Sequence, residues 1–212
     1  MSRPEPQISD AVGVLRLFRT ALDSAAAGRD FDLNGRLESS ATTAALVDTL
    51  AEAEDDHGVL HTAIYVLGLK GDPDAFEPLL RYLGSEFQYE EPDGAMSTQA
   101  LAADSIGKIG LAVRRAGGAC PQFVGEALVE NHRPGASPWI VSAIGAVGYT
   151  DGTEVLLRSL TAPSWGARHA AAWALGELGD PSAIDPLKRA LATEQDAAVC
   201  QRIVEALARL EA

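Results

Sequence analysis

The sequence contains few of the residues from which active sites are usually built. Its 212 residues include only two cysteines, four histidines and two methionines. Cys120 and Cys200 lie far apart and lack the spacing of a metal motif, so we expect reduced, buried thiols in a cytoplasmic protein. The sequence has neither the GxSxG motif of serine hydrolases nor the phosphate-binding lysine motif of P-loop proteins. No nucleophile, base and orienting residue come together in it, so no catalytic residue is assigned.

Positive charge is also scarce. Lysine and arginine total 17 against 30 aspartates and glutamates, which gives a net charge of −13. Such a chain is repelled by phosphate backbones unless it carries a concentrated basic stripe. The only neighbouring cations of note, Arg114-Arg115 and Lys188-Arg189, are isolated pairs that we expect to be solvated. The composition therefore argues against a nucleic-acid partner and favours a basic partner protein or a small ligand.

Long apolar runs are absent. No stretch of about 18 uncharged apolar residues occurs, so no membrane-spanning helix is expected. The first ten residues contain prolines and acids before any apolar run, and are not expected to be a secretion signal. Apolar residues nevertheless make up 47% of the chain, which is ample for one continuous core.

The segment 165–191 shows the organisation of the chain most clearly. Ala171, Ala174, Leu175 and Leu178 recur at the spacing of one apolar helix face. Gly179-Asp180-Pro181 follows, which offers a glycine for the helix end, a capping acid and a proline that suits a first helical position. A second amphipathic helix is predicted after it. Two short helices of this kind bury their apolar faces only when copies of the pair stack.

The same pattern recurs along the chain. The sequence LGxxGDPxA occurs at residues 67–75 and 175–183, and glycine stands at the matching point of two intermediate copies. Glycine inside a helix costs about 1 kcal/mol relative to alanine, so we expect each of these glycines to allow close approach of a neighbouring helix. They are Gly68, Gly107, Gly145 and Gly176, at steps of 39, 38 and 31 residues.

This pattern resembles the bacterial HEAT-like repeats first noted in phycobilisome lyases, and the motif is typical of that fold rather than of one function. The resemblance covers residues 57–212. It implies an all-α fold of class α-solenoid, in which about five to six helical hairpins stack into a right-handed superhelix. Residues 1–56, with helices predicted over 8–27 and 39–54 and a polar link between them, are interpreted as N-terminal capping helices. Residues 1–212 would then form a single domain.

Two histidines occupy equivalent repeat positions, because His61 and His169 each lie seven residues before a repeat glycine. The sequence is similar in this respect to deoxyhypusine hydroxylase, a di-iron HEAT-repeat enzyme with His-Glu pairs at that point. Here Thr62 and Ala170 follow the histidines, so the oxygen ligands are missing and that activity is excluded. His57 and His61 are spaced to chelate an ion on one helix face, but no HExxH glutamate lies between them. No metal or cofactor is therefore expected.

Two irregular segments, 84–94 and 131–139, interrupt the repeats. The first combines Phe87 and Tyr89 with three glutamates, as an interface anchor would, although a solvated loop that folds back on the array is the alternative. We expect the second helices of the pairs to line a concave surface. Trp165 is interpreted as a packing residue at a helix start. The predicted partner-binding residues are Glu77, Arg81, Phe87, Tyr89, Glu126, Arg158, Asp185 and Arg189, and the possible ligand-binding residues are His61, Trp139, Arg168 and His169.

Two functional interpretations follow. The first is a non-enzymatic, cytoplasmic adaptor or regulator that binds a partner protein through its concave face and the 84–94 loop. The second is a lyase or isomerase acting on a tetrapyrrole or another bulky small molecule in the groove, as the resemblance implies. The lack of a catalytic constellation favours the first.

Overall fold

The computed structural model describes residues 7–26, 30–53, 56–84, 96–133 and 137–212. Within these ranges the fold is all-α, with one isolated bridge between Ile8 and Ala41 near the N-terminus and no strands. The described residues form twelve α-helices: α1 (Ala11–Ala26), α2 (Leu33–Ser40), α3 (Thr43–Glu52), α4 (His57–Lys70), α5 (Phe76–Leu80), α6 (Thr98–Arg115), α7 (Gln122–Glu130), α8 (Pro138–Val147), α9 (Thr153–Ser159), α10 (Trp165–Leu178), α11 (Ile184–Thr193) and α12 (Ala197–Leu210).

From α4 onward the helices alternate between two layers. The first helices (α4, α6, α8, α10 and α12) pack side by side in chain order, and the second helices (α5, α7, α9 and α11) form the other layer. The prediction of an all-α solenoid is thereby confirmed, while the right-handed superhelix stays a prediction. None of the helices in the described ranges combines the length and apolar character needed to cross a membrane.

The turn of the LGxxGDPxA motif has the same geometry in both copies. Gly71 and Gly179 end α4 and α10 with φ values of 66° and 73°, in the left-handed region that favours glycine. The carboxylate of Asp180 accepts a hydrogen bond from the backbone N–H of Ser182 at 2.9 Å, and this bond lowers the pKa of Asp180. In each copy the proline begins a single 3-10 turn, and the second helix starts only after it.

The repeat glycines allow close helix contacts at three of the four positions. A Cβ on Gly145 would overlap the Cα and Cβ of Ala174, and one on Gly176 would lie 3.0 Å from the Cα of Ala206. Gly68 is similarly crowded by Ser105. The expectation of close approach is therefore confirmed at these three glycines. Gly107 differs, because its nearest neighbours would lie 3.5 Å from a Cβ, which is ordinary van der Waals contact.

The N-terminal segment, whose interpretation as a cap stays a prediction, contains three helices in its described part where the sequence predicted two. The segment taken as a polar link includes α2, which begins after Asp32, whose side chain accepts a hydrogen bond from the backbone N–H of Gly35. This helix inserts the fully buried Leu37 into the core, so it is part of the packed fold rather than a linker. The hydroxyl of Thr43 donates to the Asp72 carboxylate at 2.6 Å and ties this segment to the first repeat turn.

Arg114, at the end of α6, links three successive first helices. Its Nη1 donates to the backbone carbonyl of Gly145 at 2.9 Å, in the last turn of α8. Its Nη2 donates to the carbonyl of Glu177 at 2.9 Å, in the last turn of α10. A guanidinium at the C-terminal ends of helices is favoured by the helix dipoles, and it supplies further donors to carbonyls of the last turn. The expectation that Arg114 is a solvated cation is therefore wrong.

Replacing Arg114 with methionine is expected to lower the free energy of unfolding by about 2 kcal/mol, because two helix ends lose a charged hydrogen-bond donor. Arg115→Met is the matched control, since Arg115 is exposed at the neighbouring position. Urea denaturation followed by circular dichroism measures both variants. Equal midpoints for the two would contradict the structural role of Arg114.

Candidate functional site

A groove of about 750 Å³ is lined by residues of the first helices α6, α8, α10 and α12. The three tryptophans of the sequence, Trp139, Trp165 and Trp173, all line it, and we call it the tryptophan groove. Trp139 is 41% exposed and Trp165 is 58% exposed. Aromatic side chains left open in this way, gathered in one cleft, are typical of binding surfaces.

The groove follows from helical spacing on neighbouring helices. Trp139, Ser142 and Ala146 lie on one face of α8, and Gly166 and Trp173 lie on the corresponding face of α10. Close packing at the repeat glycines sets these faces side by side. Small residues of all four helices complete the lining, namely Ala103, Gly107, Ala143, Ala170 and Ala198.

An ion pair lies at the α6 end of the tryptophan groove. The ammonium of Lys108 contacts the carboxylate of Asp104 at 2.6 Å, four residues earlier on the same helix. The Lys108 Nζ also lies 4.7 Å from the centroid of the Tyr65 ring, within cation–π distance. These two contacts hold the lysine beside the groove and leave part of its hydrogen-bonding capacity unused.

Arg202 and His169 lie at the α12 end. The Nε of Arg202 donates to Nε2 of His169 at 3.2 Å, and its Nη1 donates to Glu205 at 2.8 Å. Burial, and then the charge of Arg202, lower the pKa of His169. The imidazole is therefore neutral at pH 7 with its proton on Nδ1, because Nε2 must accept from the arginine. With that lone pair occupied, His169 is poorly placed to act as a general base.

The structure brings together two of the four possible ligand-binding residues. Trp139 and His169 both line the tryptophan groove. Arg168 lies elsewhere and makes a bidentate ion pair with Glu194, at 2.6 and 2.9 Å. His61 also lies outside the groove lining, and its Nε2 is 2.8 Å from the hydroxyl of Thr98.

Six of the predicted partner-binding residues lie in the described part of the chain, and they belong to the layer of second helices and the turns next to them. The six that the structure describes are all exposed, and none of them lines the tryptophan groove. Two line a separate cleft of about 480 Å³ between α3 and α5. Phe87 and Tyr89, with nearly all of the 84–94 loop, lie outside the described residues. The six exposed residues are Glu77, Arg81, Glu126, Arg158, Asp185 and Arg189, and their part in binding stays a prediction.

Sequence reasoning missed four residues of the groove: Trp165, Trp173, Lys108 and Arg202. Trp165 was interpreted as a packing residue, yet more than half of it is exposed. The sequence does contain a signal for these tryptophans, because α10 is apolar around most of its circumference. Its sequence is WGARHAAAWALGEL. A helix of that kind has more than one apolar neighbour, and α10 packs against α8, α9 and α12 while Trp165 stays more than half exposed.

The described part of the chain contains no group of three or more His, Cys, Asp or Glu side chains placed to hold a metal ion. The rings of His57 and His61 meet edge to face, with 6.2 Å between their centroids. Cys120 and Cys200 are half-buried and not disulfide-bonded, and burial raises the pKa of the Cys120 thiol.

Comparisons with known proteins concern the repeats. Residues 123–208 match the family model of HEAT repeats. A search of curated proteins found no match. Among solved structures, 94% of this chain aligns with 88% of a chain in the complex of CpcE and CpcF of phycocyanin lyase from Nostoc sp. PCC7120, at 16% identity and a TM-score of 0.45. The family match covers residues 123–208, and the stacked helix pairs from α4 onward have the arrangement of a HEAT-like α-solenoid.

Proposed function

We propose that this protein is a non-enzymatic adaptor, cytoplasmic as the sequence suggests, that binds a partner protein through the tryptophan groove. The observation that carries the proposal is the placement of all three tryptophans in one groove, with Trp139 and Trp165 well exposed. Tryptophan is enriched among the residues that contribute most to protein–protein binding. The net charge of −13 supports a partner of positive net charge at long range.

The chemistry of the groove supports binding rather than catalysis. Its titratable side chains are engaged with one another: Lys108 with Asp104, and Arg202 with both His169 and Glu205. An enzyme site requires an acid or base with access to the substrate, and His169 already accepts a hydrogen bond on Nε2. The apolar walls remain available, so a hydrophobic or aromatic segment of a partner fits them.

The double variant Trp139→Ala/Trp165→Ala is expected to weaken binding of the partner by at least tenfold, since one such anchor contributes about 2 kcal/mol. Both side chains are exposed, so folding is little affected. The measurement is affinity purification from the native cells with quantitative mass spectrometry of the bound proteins. Phe123→Ala is the matched control, because Phe123 is an aromatic of similar exposure, 47%, on the second helix α7.

The proposal requires at least one protein that the wild type and Phe123→Ala retain equally and the double variant loses. If every bound protein is retained by the double variant, the tryptophan groove is not the docking surface. The exposed second-helix residues and the 84–94 loop would then be the next surfaces to test.

The second candidate is a lyase or isomerase for a bulky small molecule. The groove volume of about 750 Å³ lies within the range of small-molecule sites, and Trp139 and His169 line it. The sequence resemblance to phycobilisome lyase repeats makes a tetrapyrrole the first compound to test. Mixing the protein with a bilin should shift the bilin absorbance and quench the tryptophans. An unchanged absorbance spectrum and unchanged fluorescence would count against this candidate.

A further inference from the structure

We infer that the partner segment seated in the tryptophan groove is acidic as well as aromatic, with one or more carboxylates placed to meet Lys108 and Arg202. This inference rests on the proposed function and gives the chemistry of the segment. The acidic character is inferred only for the segment that lies in the groove. The net charge of the chain acts at longer range, on the partner as a whole.

The first step is the charge of the groove lining. Lys108 and Arg202 line it with one carboxylate, that of Asp104, while Glu205, which pairs with Arg202 at 2.8 Å, lies outside the lining. The chain as a whole carries 30 acidic against 17 basic residues. The groove lining therefore has the opposite balance to the rest of the chain, and an acidic segment is repelled less here than elsewhere.

The second step is the balance of hydrogen-bond donors and acceptors. Arg202 has five N–H groups, and two of them reach His169 and Glu205. Lys108 has three, one of them directed to Asp104. The neutral His169 and the three indoles add further N–H groups, which are donors only. The groove thus offers more donors than acceptors, and a carboxylate is the partner group that uses them best.

The third step is the distance between the two cations. Lys108 lies on α6 and Arg202 on α12, with α8 and α10 between them. Neighbouring packed helices lie about 8–10 Å apart, so the cations stand at opposite ends of the tryptophan groove. A peptide segment that contacts both Lys108 and Arg202 therefore has aromatic or apolar side chains in its middle and acidic residues at its ends.

A phage-displayed library of random linear peptides tests the inference on the purified protein. Selected peptides are expected to be enriched in tryptophan, phenylalanine or tyrosine flanked by aspartate or glutamate. Synthetic versions with phenylalanine in place of any tryptophan are then titrated by the tryptophan fluorescence of the protein, which reports groove occupancy because all three of its tryptophans line the groove. Replacing the acidic residues of a selected peptide with glutamine is expected to weaken its binding about tenfold, as loss of a charge-assisted hydrogen bond does.

The matching change in the protein is Lys108→Gln/Arg202→Gln, with an expected loss of about tenfold for the acidic peptides and little change for their glutamine versions. The control is Lys188→Gln/Arg209→Gln, which removes the same charge from two exposed cations outside the groove that are also ion-paired. Helical circular dichroism and Tm establish that both double variants fold.

The outcomes separate the two proposals. Aromatic but neutral or basic peptides that bind the groove would overturn the acidic assignment and leave the docking function standing. Peptides whose binding survives Trp139→Ala/Trp165→Ala, or a library that yields no binders, would count against the groove as a docking site altogether. Equal losses in the two charge variants would show a general charge effect and would also overturn the assignment.

Discussion

Replacing Gly145 with alanine is expected to destabilise the protein by about 3 kcal/mol, near the upper end for insertion of a single methyl group into a packed core. The added Cβ would overlap Ala174 on α10 and would lie 2.8 Å from its carbonyl oxygen. The obstacle is backbone, which has no rotamer to change, so α8 and α10 must move apart. Urea denaturation followed by circular dichroism measures the change in the free energy of unfolding.

Gly107→Ala is the matched control for Gly145→Ala, because both glycines occupy the same repeat position on a first helix. A Cβ on Gly107 would have its nearest neighbours at 3.5 Å, which is ordinary contact. Alanine also favours a helix by about 1 kcal/mol relative to glycine. We therefore expect this variant to be as stable as the wild type or more stable. Similar losses of stability in Gly145→Ala and Gly107→Ala would show that the distance from the added Cβ to its neighbours does not determine the change in stability.

Replacing Glu194 with glutamine is expected to cost about 3 kcal/mol, since it leaves a largely buried arginine without its counter-ion. The side chains of Arg168 and Glu194 are only 19% and 7% exposed. Arg168 also donates to the carbonyls of Ala162 and Pro163, so it cannot readily turn out to solvent. Thermal denaturation near neutral pH measures the loss.

The control for Glu194→Gln is Glu154→Gln. Glu154 pairs with Arg158 on the surface of α9, where the two side chains are 81% and 63% exposed. Exposed ion pairs contribute about 0–1 kcal/mol, so this variant is expected to be nearly as stable as the wild type. A loss as large as that of Glu194→Gln would mean that burial of the ion pair does not matter.

The same ion pair predicts a pH dependence. The hydrogen bonds from Arg168 lower the pKa of Glu194 from 4.5 to about 2. A carboxylate with a lowered pKa in the folded state stabilises the protein above its unfolded pKa and loses that contribution as the pH falls through the folded value. The difference in Tm between the wild type and Glu194→Gln should therefore be largest above pH 4.5 and become smaller as the pH falls toward 2. Parallel pH profiles of the two proteins would contradict this assignment.

Local signals in the sequence were enough to predict the repeat architecture. The glycine, aspartate and proline of the LGxxGDPxA motif act within one turn, so Gly71 and Gly179 end their helices where the pattern indicates. The apolar residues of each first helix recur at helical spacing, which is also a local signal, so the buried faces of these helices can be predicted as well. The sequence does not reveal helix α2 because its eight residues are mostly polar. Leu37 is its one apolar residue that the structure buries completely.

The site could be predicted only in part, because it depends on which faces of distant helices meet. Trp139 and Trp173 come from α8 and α10, and Arg202 comes from α12. Each has a plausible role on its own helix, and only packing of three repeats brings them into one groove. Arg168 shows the converse, since its neighbour His169 points to the groove while Arg168 pairs with Glu194.

The reach of Arg114 across α8 to α10 has a consequence for how the array unfolds. In most repeat proteins each unit touches only its neighbours, so stability is a sum of unit and nearest-neighbour terms. Arg114 adds a next-nearest-neighbour term, because one guanidinium binds the ends of two successive first helices ahead of it. We therefore expect the ends of α6, α8 and α10 to unfold together, and a whole repeat inserted before α10 would break that coupling even if every adjacent interface were preserved.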